Sequence, residues 1–402
     1  KPPLQSNRKV DKWWVVHWGE MMKNPVFLLA PDSFKESMTA KEVCAAMEAG
    51  IKKAIPDAVC IQVPMADGGE GTVQSLVDAT GGTIYQQTVT GPLGHPVTAC
   101  YGILGDGETA VIEMASASGI HLVTKETKNP LVTTTYGTGE LIKACLDKKV
   151  KQILIGIGGS ATNDGGAGMA QALGVKFLDE RGGMLPFGGG ALGDLAEIDL
   201  AGLDPRLKEV QIFVASDVTN PLCGENGASH VFGPQKGATK EMVALLDTNL
   251  SHYAAIIKEQ LGKDVAEVPG AGAAGGLGAG LMVFTDAVLK SGIELVVEYT
   301  GLEQKVKDAD IVLTGEGSID FQTQFGKTPY GVARAAKKHG KPVIAVAGYV
   351  GEQIDVLYEK GIDAIFGILP RPMALEDALQ TGAANIERTC ENIARLLVLA
   401  KQ

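Results

Sequence analysis

The 402-residue sequence predicts an α/β protein: a discontinuous Rossmann-like parallel-sheet domain (residues 22–80 plus 285–402) with a second α+β domain (81–284) inserted into it. Three observations predict it. The chain is too long for one ordinary core. It opens with apolar strands alternating with amphipathic helices, each strand running into a polar or glycine-rich loop. That rhythm breaks near Thr83 and returns after the glycine tract Pro269–Gly280.

Val26–Ala30 is an unbroken apolar run after Pro25, as expected of a strand buried on both faces. Thr39 then opens a helix with Glu42 three residues on, a capping box; Val43, Met47, Ile51 and Ile55 supply its apolar stripe and Pro56 ends it. A second strand is expected at Val59–Val63. Thr83–Thr90, Val97–Leu104 and Thr109–Met114, separated by Gly-Pro and Gly-Asp-Gly turns, read as antiparallel strands of a different domain. That domain also holds a helix near Gly139–Lys148 and strands at Gln152–Ile157 and Gln211–Ala215. Asp310–Thr314, Pro342–Ala347 and Asp363–Ile368 resume the parallel rhythm. Helical patterns follow at Pro329–His339, Gln353–Lys360 and, closing the chain, Leu375–Ala400.

Composition narrows the functional classes. A net charge of −11 without any long Lys/Arg block argues against a nucleic-acid face. No apolar run is long enough to span a membrane. Six scattered cysteines without a C-x-x-C pair read as free thiols of a reducing compartment. Near the start, Trp13–Trp18 is short, and Glu20 stands where a signal peptide would carry small residues. The functional chain is expected to begin at Met21 or Met22, with residues 1–20 as upstream or added sequence.

Five loops combine glycine with carboxylates or hydroxyls: Asp32–Ser37, Asp67–Thr72, Gly156–Gly168, Ser216–Gly224 and Gly315–Lys327. Each follows a predicted strand. Glycine lets backbone N–H groups approach phosphate oxygens, so five such loops point to a polyanion site. Asp67, Asp164, Asp217 and Asp320 would repel phosphate alone but suit a site that also holds Mg²⁺, which takes one or two carboxylates plus phosphate oxygens. Any one of them can equally be a helix cap; Asp164, before Gly165-Gly166-Ala167, is the clearest case.

Two motifs compete with this reading. Gly326-Lys327-Thr328 resembles the tail of a Walker A loop, but the pattern needs glycine where Phe321 stands, and Thr328 as N-cap with Pro329 at the first helical position explains it without nucleotide. Gly156–Ala161 fits a dinucleotide fingerprint with Asp179 downstream, which makes a nicotinamide-dependent oxidoreductase the alternative function. Against it, Asn163-Asp164 places a carboxylate where a pyrophosphate should sit. No nucleophilic triad or zinc spacing occurs.

Several segments, taken together and in order, resemble type-I bacterial glycerate kinases. They are Ala30–Ser37, Ala66–Thr72, Ile157–Gly166, Ser216–Leu222, Phe232–Gly237, Gly272–Gly278 and Thr314–Gly317. The resemblance covers essentially Met22 to the C-terminus. Members often carry Arg where this chain has Ser318 and a small residue where it has Phe321. It implies a two-domain α/β kinase acting on D-glycerate with ATP and Mg²⁺, with the 2-hydroxyl attacking to give 2-phosphoglycerate. Charge, hydropathy and cysteine usage point to a cytoplasmic protein with small-molecule partners, neither nucleic acid nor membrane, and the two-domain fold places the expected active site in an inter-domain cleft. The oligomeric state is left open, a homodimer being one option. Loop position and residue type then assign roles. Asp32, Lys35 and Asp67 are expected to be catalytic, with Asp32 or Asp67 as base. Gly68, Gly69, Gly158, Gly159, Ser160, Asn163, Gly315 and Lys327 are expected to bind the nucleotide, and Asp164 and Asp217 the metal.

Overall fold

The computed structural model describes residues 24–399, so the expected start at Met21 or Met22 and the reading of 1–20 lie outside the described residues. The strands are β1 (Val26–Leu29), β2 (Val59–Gln62), β3 (Thr83–Thr90), β4 (Pro96–Ile103), β5 (Thr109–Glu113), β6 (Gln152–Gly156), β7 (Lys176–Leu178), β8 (Glu197–Asp199), β9 (Gln211–Ala215), β10 (Val288–Lys290), β11 (Ile311–Ile319), β12 (Val343–Val350) and β13 (Ala364–Gly367). The described residues up to Met65 and from Gly301 onward form one compact unit, and Ala66–Thr300 form another.

In the first unit a five-stranded sheet runs in the order β13-β12-β11-β1-β2, every pair parallel. The expected capping box opens helix Ala40–Ala54: Thr39 Oγ1 accepts from the Glu42 N–H and Glu42 Oε2 accepts from the Thr39 N–H at 2.8 Å. Phe27 and Leu29 from β1 pack against Met47 and Ile51 of that helix and Ile386 of the C-terminal one. The expected single closing helix is two, Leu375–Gln380 and Gly382–Leu399. The Ser37 hydroxyl takes the Leu379 carbonyl at 2.5 Å, and a Cβ at Gly382 would meet Ser37 Oγ and Met38 Cε. The break therefore lets the chain fit around the loop that follows β1.

The second unit is a six-stranded sheet, β10-β9-β6-β5-β4-β3. Its β3–β4 and β4–β5 pairs are antiparallel, as the turn-separated runs predict, and β5, β6, β9 and β10 are parallel. Residues 66–80 and 285–300, expected in the Rossmann-like domain, belong here. Their packing explains why. Helix Thr72–Thr80 lays Val73 and Val77 over Gly102 of β4, and β10 pairs with β9. No helix or strand is expected from the sequence in 225–268, yet this stretch contains the 22-residue helix Lys240–Leu261, capped by Thr239 and ended by left-handed Gly262. That helix buries Tyr253 against Phe177 and Phe284 in a second core.

Candidate phosphate-binding pocket and a second acidic cluster

Within the second unit, the loops after the parallel strands enclose a pocket of about 620 Å³. Asp67, Gly68 and Gly69 form part of its wall, Gly158, Gly159 and Ser160 after β6 another, and Ser216 and Asp217 after β9 a third. Seven sequence-predicted site residues thus share one cavity: Asp67, Gly68, Gly69, Gly158, Gly159, Ser160 and Asp217.

The backbone of this pocket is held rigidly and left unsatisfied. Ile120 N–H donates to Gly159 O at 2.8 Å and Ala161 N–H to Ser118 O at 3.0 Å, which pins the loop after β6 from both sides. Among the described residues, the N–H groups of Gly158, Gly159 and Ser160 donate to no protein acceptor. Successive free amides in a loop make an anion-binding concavity. Gly68 is required by the fold, with φ +92° and a would-be Cβ 2.9 Å from Ala215 Cβ and Gly292 Cα. Gly158 is different. A Cβ there would meet nothing closer than Gly69 Cα at 3.8 Å, so packing does not demand glycine and the space it leaves belongs to the pocket.

Two helix N-termini, the usual partners of such loops, are already filled by carboxylates. Glu113 accepts from the Val73 N–H at 2.8 Å at the start of helix Thr72–Thr80. Burial raises its carboxyl above the usual range, and the amides of Val73, Gly71 and Thr72 offset that in part. Asp164, fully buried, serves helix Ala167–Ala172 likewise. Its oxygens accept from Thr135 N–H (2.8 Å), Thr135 Oγ1 (2.9 Å), Gly166 N–H (3.1 Å) and Gly168 N–H (3.2 Å). Asp164, expected to hold the metal, does not line the pocket, and protein donors occupy both its oxygens. Asn163 is also fully buried, its amide donating to Ser229 Oγ at 2.9 Å, and it too stands away from the pocket wall.

Asp67 and Asp217 do face the cavity. Loss of hydration raises the Asp217 carboxyl even though the residue as a whole stays exposed. Asp67 and Glu294 push it the same way, while the Ser291 hydroxyl and Gly292 N–H oppose the shift. Two mutually repelling carboxylates beside free amides are a donor set that fits Mg²⁺ with a polyphosphate.

Lys236 was missed as a site residue. It sits in the turn Pro234–Lys236, lines the pocket, is 1% exposed and donates from Nζ to Thr162 O at 2.6 Å. Burial pushes its ammonium down to about 7, partly countered by Asp164. Its only signal was membership in the Phe232–Gly237 motif; no pattern rule marks a lysine as buried.

The remaining predicted residues lie in the first unit, at the carboxyl ends of β1 and along β11. Asp32 accepts from Ser33 N–H at 2.6 Å through Oδ1 and from Thr328 Oγ1 at 2.5 Å through Oδ2. Glu316, buried and not foreseen, accepts from Thr323 Oγ1 at 2.9 Å and pairs with Lys327 Nζ at 3.6 Å. Lys35 is exposed and Gly315 is packed against Val346 O. The cap of helix Thr328–Lys338 is Lys327, one residue before the expected Thr328, whose hydroxyl is committed to Asp32.

The dinucleotide fingerprint fails on geometry. No helix starts at Gly158–Ala161; the next one begins at Ala167. Asp179 binds the amides of Arg181 and Gly183 in the turn after β7, so it is a turn residue and not a ribose ligand.

A sequence model of the glycerate kinase family matches residues 27–398. A glycerate kinase of Halalkalibacterium halodurans is 57% identical over 91% of this chain and 97% of its own length. The glycerate 2-kinase of Escherichia coli K12 is 55% identical over 92% and 98%. A crystal structure assigned to glycerate kinase 2 of Salmonella typhimurium LT2 superposes with TM-score 0.87 at 51% identity, covering 94% of this chain and 99% of that one. This chain belongs to the glycerate kinase family, and kinase chemistry replaces the oxidoreductase alternative.

Proposed function

We propose that the protein transfers the γ-phosphoryl group of ATP to the 2-hydroxyl of D-glycerate in the cytoplasm, giving 2-phosphoglycerate, ADP and a proton. The observation that carries this reading is the row of free amides at Gly158, Gly159 and Ser160 in a pinned loop, where the missing side chain of Gly158 leaves room for a ligand. Phosphoryl transfer asks little covalent work of a protein; fixed N–H dipoles that stabilise spread negative charge supply much of what it needs.

In this reading those amides, with Gly68 and Gly69, hold the phosphates. Asp217 contributes to a magnesium site. When bound, magnesium neutralises charge on the phosphate oxygens. Asp67 accepts the proton of the attacking hydroxyl; it is preferred over Asp32, whose oxygens are engaged by Ser33 and Thr328. Lys35, exposed beyond β1, keeps its proposed role of neutralising substrate charge. The expected 2-phosphoglycerate product is supported by similarity to the Escherichia coli glycerate 2-kinase.

The test is a phosphorus NMR spectrum of the products formed from D-glycerate, ATP and magnesium by the purified protein. ADP with 2-phosphoglycerate is expected. A 3-phosphoglycerate signal would overturn the regiochemistry, and no phosphorylated glycerate from folded protein would overturn the function.

A further inference from the structure

A charged lysine carries three N–H donors, and folded proteins pair buried polar groups almost without exception. Lys236 is buried to 1% exposure, and among the described residues its Nζ has one hydrogen-bond acceptor, the Thr162 carbonyl. Among the described residues no carboxylate comes within ion-pair distance of it; Asp164, whose charge acts on it, is held by Thr135, Gly166 and Gly168. Beside its acceptor lie two more buried polar atoms without partners, Thr162 Oγ1 and Asn163 Oδ1.

The arrangement is built and not accidental. The turn that carries Lys236 is clamped on Lys128. Gly237, at φ +94°, approaches so closely that a Cβ would lie 2.8 Å from Lys128 Cβ and O, and Lys128 Nζ reaches Gln235 O at 3.4 Å. Lys128, Gln235 and Lys236 all line the pocket that carries the free amides of Gly158–Ser160.

We propose that Lys236 is the buried cation that receives an oxyanion of a bound ligand in this pocket, the oxyanion accepting the hydrogen bonds that the Lys236 ammonium leaves unmade. The inference rests on the reading of the pocket as the phosphate-binding site. The oxyanion is a phosphate of ATP or the carboxylate of D-glycerate; both offer what a lysine point charge binds. In the free protein the cost of burial is met by releasing the proton near neutrality, at a pKa of about 7. An incoming anion restores the charge. Asp164 is the charge that acts on the group, and Lys128, Asp67 and Asp217 are the other charged side chains lining the same pocket.

Binding of ADP, ATP and D-glycerate to wild type, Lys236→Met and Lys236→Gln, measured by calorimetry alongside separate KM values, tests this. Removing one member of a buried charge pair costs enough to weaken binding of one ligand by at least about thirtyfold. The ligand affected names the oxyanion: ATP and ADP if it is a phosphate, D-glycerate if it is the carboxylate. Unchanged affinity for all three in folded variants overturns the proposal. Wild-type titrations at pH 8 in two buffers of different ionisation enthalpy cover the case in which neither variant folds. Uptake of close to one proton on binding one of the ligands is expected, and no uptake with any of them overturns the proposal. A Gly158→Val control separates this inference from the reading beneath it. If Gly158→Val leaves ATP and glycerate binding intact, the pocket assignment itself fails. If it blocks binding while the Lys236 variants do not, the pocket stands and the lysine's role falls.

Discussion

The two polar regions of this molecule differ in how far the protein satisfies its own groups. In the first unit, Asp32 and Glu316 are provided for: Ser33 and Thr328 serve one, Thr323 and Lys327 the other. In the second, the amides of Gly158, Gly159 and Ser160 and most of the donor capacity of Lys236 go unused. A buried polar group left without a partner costs on the order of 1–3 kcal/mol. In the second unit that cost falls on the buried atoms Thr162 Oγ1 and Asn163 Oδ1 and on under-bonded Lys236, while the amides of exposed Gly158 and Gly159 stand open to water or to a ligand; around Asp32 and Glu316 the first holds a finished network. Residue types alone, acidic and glycine-rich in both loops, do not distinguish the two.

The largest expected effect is at Gly158. The Cβ of a Gly158→Val side chain would enter the pocket with nothing closer than Gly69 Cα at 3.8 Å, and its methyl groups would take ligand space. Activity (kcat/KM) should fall by about a hundredfold or more with the melting temperature little changed. A variant that melts early and keeps activity would reverse the comparison. Next comes Asp217→Asn, expected to weaken apparent magnesium affinity by about tenfold or more; an unchanged magnesium titration would remove Asp217 from the metal site. In the first unit, Thr328→Val strips a donor from buried Asp32. It should cost about 1–3 kcal/mol of stability in a denaturant titration, with a smaller effect on catalysis than Gly158→Val. The reverse pattern would make Asp32, and not Asp67, the proton acceptor.

The smallest effect has an unusual sign. Lys236→Met should stabilise the ligand-free protein by about 1 kcal/mol or more, because it removes a buried lysine whose single acceptor is the Thr162 carbonyl and which has no carboxylate partner among the described residues. An unfolded lysine holds its proton up to its ordinary 10.5, while the folded one releases it near 7. Between those values the unfolded chain binds more protons, so wild-type stability gains with rising pH. The advantage of Lys236→Met should be fully present below pH 7 and fade toward 10.5. Melting temperatures across that range check it; a variant that is destabilised at pH 7 would show that Lys236 is a structural residue.

Much of this was legible before any coordinates. The hydrophobic run Val26–Ala30, the Thr39/Glu42 box and the turn-separated runs from Thr83 to Met114 declare themselves through local period and cap chemistry. So do the glycine loops that gather around the pocket. What stayed hidden depends on distant partners. Asp164 and Asp217 look alike in sequence, yet one is filled by Thr135 from another segment and the other faces the cavity. Helix Thr72–Thr80 starts from left-handed Gly71 with no side-chain cap of its own, and only its packing on β4, with Glu113 at its amides, puts it in the second unit. Lys236 and Glu316 are ordinary surface residue types until the fold buries them. Burial of a charge is a tertiary fact, and period-based reasoning does not see it.

The most direct test of the contrast between the two regions is amide hydrogen exchange of the wild-type protein with and without ADP and magnesium. Ligand binding should slow exchange at Gly158, Gly159 and Ser160, whose N–H groups have no acceptor in the free protein, and leave Ser33 and Gln322, already bonded to Asp32 and Asp320, little changed. Protection confined to the first unit, with exchange at 158–160 unaltered, would contradict the placing of the phosphates in the second.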